Sequence, residues 1–155
     1  QTVSFLRHSG ILPLPLLSHS SLPHPHTPQC SPLVNRDEMI RFYKRFLSLR
    51  SVGVPVLAAI TGHAVGAGAC LAASCDVRPA IAPLAKIGFN FVRLGLHPGL
   101  ASTHFLGLAV GPHRAAQLLL TGDFVSAEKA VEMGLVLEVG SVVVKEWSSK
   151  TQHTL

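Results

Sequence analysis

Residues 62–76 read GHAVGAGACLAASCD, and types and spacing there could do chemistry with the backbone alone. The stretch before it, residues 54–60 (VPVLAAI), is apolar and β-branched enough for a buried strand, and the small residues after the glycines suit a tightly packed helix. A strand, glycine turn and helix in that order leave the first helical amides without carbonyl partners. The helix dipole adds partial positive charge at the same point. The result is an anion or oxyanion site made of main chain. Gly66 and Gly68 flank Ala67, and without β-carbons they let a ligand oxygen approach the Ala67 amide. The same glycines would also serve simple close packing of strand on helix, and spacing leaves both readings open. A dinucleotide fingerprint fits less well: GAGACL lacks the third glycine of GxGxxG, and no acidic residue follows about 20 positions on in the expected context.

The elements that must position this turn can be read on either side of it. Asn35 with Glu38 three residues later is a capping-box pattern, and Met39, Ile40, Tyr43, Phe46 and Leu47 recur at helical spacing, which predicts an amphipathic helix over 35–50. Downstream, 76–81 and 86–89 read as strands, 93–99 (RLGLHPG) as a loop, and 102–110 as a helix. Gly111 and Pro112 punctuate the chain before a helix to residue 120. After a turn at 121–123, Ser126 can cap a helix over 127–133 that Gly134 closes, and 136–139 reads as a last strand. Residues 1–34 carry six prolines among serines and histidines and are expected to stay outside the folded domain. His24 and His26 offer no fixed metal geometry there.

Composition narrows the function classes. The 155 residues suffice for one domain, 48% are hydrophobic, and 14% are charged against about 25% in soluble domains, so some apolar surface is expected to meet another segment or subunit. No apolar run reaches the roughly 18 residues of a spanning helix. The net charge of +5 is scattered, with no nucleic-acid motif beside it. It would suit the phosphates of a nucleotide-bearing ligand. Cys30, Cys70 and Cys75 have neither metal-ligand spacing nor a disulfide framework, which fits cytosol or mitochondrial matrix.

Three pieces, PVLAAITGHAVGAGACLAASCD at 55–76, RLGLHPG at 93–99 and LLLTGDFVSAEKAVEMGLV at 118–136, resemble the crotonase family of enoyl-CoA hydratases and isomerases in order and spacing. The resemblance implies an α/β fold, a crotonase-like spiral of strand-helix units. It further implies a member truncated at both ends: a Pro/His/Ser-rich segment at 1–34, a partial crotonase-like domain at 35–140 and a divergent tail at 141–155. It implies an acyl-CoA thioester as substrate with no separate cofactor or metal, and a homo-oligomer or a homologous subunit as partner.

In that family two backbone amides hold the thioester oxygen and two glutamates move protons. By motif position the second amide falls on Ala67, flanked by Gly66 and Gly68, and the glutamates fall on Cys70 and Phe91. The upstream segment that carries the first amide has no counterpart in 1–34. Arg93 and His97, near the second glutamate's place, are the candidate substrate-binding side chains, and His63 is weighed beside them. Asp123 and Asp76 are expected to serve the structure. The resemblance therefore implies a crotonase-like acyl-CoA protein whose usual acid and base are replaced. The alternative is a non-catalytic chain that binds a CoA ester or a homologous subunit.

Overall fold

The computed structural model describes residues 3–7, 10–12 and 32–140. Strands β1 (Val3–Arg7), β2 (Gly10–Leu12), β3 (Leu57–Ile60), β4 (Ala64–Val65), β5 (Ala80–Ile81), β6 (Lys86–Gly88), β7 (Phe124–Ser126) and β8 (Glu138–Val139) form two sheets. Helices α1 (Pro32–Leu47), α2 (Ala67–Ser74), α3 (Ser102–Val110), α4 (Pro112–Thr121) and α5 (Ala127–Glu132) connect and cover them. The larger sheet runs β2-β1-β3-β5-β8, the smaller β4-β6-β7.

β3 is the strand on which the rest is laid. All four of its residues are buried, as a continuous apolar run between covered faces requires. It pairs in parallel with β5, Ile60 opposite Ile81, and β5 pairs in parallel with β8. From its end the chain passes through β4 into α2, a helix of small residues that packs on α3. β4 lies parallel to β6, with Val65 opposite Gly88. The core gathers between these layers around Ile60, Ile81, Ile87, Phe89, Leu106 and Leu135, each essentially inaccessible.

Several expected boundaries move. Helix α1 begins at Pro32, so Asn35 lies inside the helix instead of capping it; proline at the first helical position has no amide to lose. It ends at Leu47 and passes into a tight 3-10 turn at Ser48–Ser51. Of the strand expected over 54–60, only Leu57–Ile60 is strand. Of 76–81 only Ala80–Ile81 is strand, Val77 making a single bridge to Leu57, and the last strand shrinks to Glu138–Val139. Residues 93–99 open with a 3-10 turn at Val92–Leu94. Helices α3 and α4 begin where expected, and the Ser126 hydroxyl accepts from the Lys129 amide to cap α5.

The reading of 1–34 as lying outside the domain is corrected at its start. Val3–Arg7 pairs antiparallel with β3, Val3 opposite Ile60, and with Gly10–Leu12 on its other edge. Val3 and Phe5 supply strand-forming residues there, and the prolines begin only at Pro13. The remainder of that segment, and the tail at 141–155, lie outside the described residues.

Candidate functional site

Ala67 is the first residue of α2, and the turn before it depends on glycine. Gly66 sits at φ 56, ψ −116, a backbone region closed to residues with a β-carbon. Its amide donates to the Gly88 carbonyl at 2.8 Å, which ties the turn to β6. The first helical bond of α2 runs from the Cys70 amide to the Gly66 carbonyl at 3.0 Å. No side chain caps the helix. The Ala67 amide therefore has no hydrogen-bond partner among the described residues, in an exposed residue. Gly68, next along, is buried against the core.

The β4 and β6 pairing brings one further side chain to this turn. Asn90 lies just past β6, and its Oδ1 is 3.7 Å from where a β-carbon on Gly66 would stand. Nothing in the spacing of the sequence singled out Asn90; its nearness is a consequence of strand register. It is the one side-chain atom within 4 Å of that β-carbon position among the described residues, and it stands one residue before Phe91.

Neither Cys70 nor Phe91 presents a group suited to proton transfer. Cys70 is fully buried on α2, its Sγ 3.8 Å from the Gly99 carbonyl. Burial pushes its thiol up to about 12, against the opposing effect of the nearby Ser102 hydroxyl. A thiol so held stays protonated and unreactive at neutral pH. Ser102 itself is fully buried, and its Oγ makes no hydrogen bond of good geometry among the described residues. Phe91 is half-buried, packed against the core at the start of the 3-10 turn.

The loop between that turn and α3 is held unusually. Leu100 and Ala101 both have left-handed backbones, φ 54 and φ 52, without being glycine. The Leu100 amide donates to the Tyr43 hydroxyl of α1 at 3.2 Å, and a β-carbon at Gly99 would lie 2.6 Å from that same oxygen.

The remaining expected site residues scatter. Arg93 donates through Nε to the Thr121 carbonyl at 3.2 Å and pairs through its guanidinium with Asp123, clamping the turn after α4. Its role in the structure is thus to join two loops, and Asp123 serves that ion pair more than its own backbone. His97 is exposed in the loop ahead of α3. His63 is exposed and accepts from the Lys86 amide through Nδ1 at 3.0 Å, so one ring nitrogen is already engaged. Asp76 accepts from the Val56 amide at 2.8 Å and from Arg50 at 2.7 Å. The Val56 amide first, and then Arg50, hold its carboxyl below the usual carboxylate range.

Two surface cavities are formed by described residues. One of about 590 Å³ lies between α4, β7 and α5, beside Arg114, Asp123 and Lys129; one of about 260 Å³ lies at the C-terminal end of α2. Neither is lined by Gly66, Ala67 or Gly68. Among the described residues no group of histidine, cysteine, aspartate and glutamate could hold a metal ion, and no helix is long and apolar enough to cross a membrane.

Comparison with known proteins bears on the family and the fold. The sequence profile of the enoyl-CoA hydratase/isomerase family matches residues 35–154, so the family match runs past Gly140 and through most of the stretch expected to be a divergent tail. A probable enoyl-CoA hydratase of Mycobacterium tuberculosis is 46% identical over 101 residues, 65% of this chain and 39% of the relative. A crotonyl-CoA hydratase of Syntrophomonas wolfei is 44% identical over 96 residues, 62% of this chain and 36% of the relative. Among solved structures, a probable enoyl-CoA hydratase/isomerase from Mycobacterium abscessus superposes with a TM-score of 0.72 at 33% identity, over 79% of this chain and 48% of that one. A Thermobifida fusca homologue solved in complex with acetoacetyl-CoA gives a TM-score of 0.67 at 33% identity, over 76% of this chain and 46% of that one. The chain thus matches less than half the length of these relatives.

Proposed function

This chain belongs to the enoyl-CoA hydratase/isomerase family, and from that premise we propose that it binds an acyl-CoA thioester with the thioester oxygen on the Ala67 amide, without itself carrying out the proton transfers of hydration. The observation that carries this is the Ala67 amide at the start of α2, without a partner among the described residues and set by Gly66 in a conformation that glycine alone favours. The solved Thermobifida fusca relative with acetoacetyl-CoA supports the ligand class. One preorganised amide of this kind is worth about 3 to 4 kcal/mol to a developing oxyanion. Because the donor is main chain, alanine serves as well as glycine would.

Proton transfer needs groups that can gain and lose a proton near neutral pH within hydrogen-bond reach of the reacting atoms. The Cys70 thiol, pushed up to about 12 by burial, and the Phe91 ring supply neither. Exposed apolar side chains such as Leu84, Leu120 and Leu137 support an association of this chain with a homologous subunit as well.

The test uses Ala67→Pro, which removes the N–H at a first helical position where the proline ring is tolerated. Calorimetry should show crotonyl-CoA binding weakened at least about tenfold, free CoA binding unchanged, and Ala67→Gly retaining the parent affinity. Crotonyl-CoA bound equally well by Ala67→Pro would remove the oxyanion assignment. Hydration of crotonyl-CoA above a heat-inactivated control would remove the claim that proton transfer is absent.

A further inference from the structure

The 260 Å³ cavity lies at the opposite end of α2 from Ala67 and has a different character. Its walls include Arg50 and Arg78, His104, Asp76, Phe105 and Leu108. From these groups the geometry points to a binding site for a small organic monoanion, a carboxylate with a short apolar body.

Both arginines have structural tasks, and neither is exhausted by them. Arg78 donates through Nε to the Leu135 carbonyl at 2.6 Å and through one terminal nitrogen to the carbonyls of Cys75 at 2.7 Å and Ala73 at 3.4 Å. Its other terminal nitrogen has no partner among the described residues. Arg50 spends a single terminal nitrogen on Asp76 and the Ser74 carbonyl, leaving Nε and the second terminal nitrogen free among the described residues. Its guanidinium stands 5.7 Å from the centre of the Phe105 ring, a contact that holds the fork in place without using a donor. His104 meets Phe105 edge-on at 5.1 Å between centroids, with no hydrogen bond to either ring nitrogen among the described residues. These contacts leave one terminal nitrogen of Arg78, and Nε with one terminal nitrogen of Arg50, without a partner among the described residues.

Charge and size choose the ligand. Two guanidiniums against one carboxylate leave a single positive charge, which a monoanion balances and a phosphate dianion overshoots. A planar fork with adjacent free N–H groups matches a carboxylate in two-point contact. The volume falls just below the range of about 300 to 1,000 Å³ that holds drug-sized ligands, so the molecule is small. Phe105 and Leu108 give its apolar part a surface to cover, and Leu108, 73% exposed, stands at the rim.

The experiment titrates the ¹⁵N-labelled full chain with sodium butyrate, and in parallel with sodium phosphate and sodium chloride at matched ionic strength. Butyrate should give saturable shifts centred on Phe105, Leu108 and the Arg50 side-chain N–H, with phosphate binding at least about tenfold weaker. Arg50→Gln should cost butyrate affinity about tenfold. Since Arg50 also ties Ser74 and Asp76, the second variant is Leu108→Asp, which puts a negative charge at the rim of an exposed position and disturbs no hydrogen bond. It should melt like the parent and bind butyrate at least about tenfold more weakly. Absence of saturable butyrate binding, tighter binding of phosphate, or parent-like butyrate affinity in Leu108→Asp would each overturn the assignment.

Discussion

At the N-terminal end of α2 the Ala67 amide has no partner among the described residues, whereas at the C-terminal end the carbonyls of Ala73, Ser74 and Cys75 are each taken by an arginine. The first arrangement is produced by a local glycine turn and asks nothing of distant side chains. The second is assembled from far apart: Arg50 precedes the helix by two elements, Asp76 joins it to the Val56 amide ahead of β3, and Arg78, which follows the helix, reaches on to the Leu135 carbonyl. The difference teaches where the chain invests its side chains. They secure one end of the helix, so the opposite end can keep its backbone groups available.

The sharpest way to break that contrast is Arg78→Ala. It strips partners from three carbonyls in a part-buried place, and urea unfolding should show a loss of about 3 kcal/mol. A loss below about 1 kcal/mol would mean that water replaces the guanidinium and that the two ends differ less than they look. Next comes Gly66→Ala. The new β-carbon would meet only the Asn90 Oδ1, at an ordinary 3.7 Å, so the cost is the forced backbone conformation, about 2 kcal/mol by thermal or urea unfolding. The smallest effect belongs to Asp76→Asn, about 1 kcal/mol at neutral pH for so exposed a carboxylate. Its sign with pH is fixed. Because the folded carboxyl sits below its ordinary 3.8, its stabilisation is complete above that value and disappears as pH falls through the lowered one. The parent and the Asn variant should therefore converge in stability in acid, and parallel curves would show that the carboxylate's charge is not what matters.

Sequence reading reached the features whose causes are local. The Gly66 and Ala67 turn, the Gly111 and Pro112 break between α3 and α4, and the Ser126 cap all follow from a residue's own backbone preferences, and all stand in the structure. What it missed depends on register and on contacts far along the chain. β4 and β7 are too short to show alternation, yet their pairing with β6 is what carries Asn90 to Gly66. Arg93 reads as a free cation near a substrate until the fold brings Thr121 and Asp123 beside it. Nor does any pattern announce that the hydroxyl of Ser102, at the start of α3, will be sealed without a good partner near Cys70.

The loop ahead of α3 stores energy that the surrounding packing must keep in place. Two successive left-handed residues with β-carbons, Leu100 and Ala101, cost about 1 to 2 kcal/mol each. The hydroxyl that anchors them comes from Tyr43, more than fifty positions earlier. Helix α1 thus clamps the tensioned pair: the Tyr43 hydroxyl on the Leu100 amide ties residues 99–101 to a helix far back along the chain.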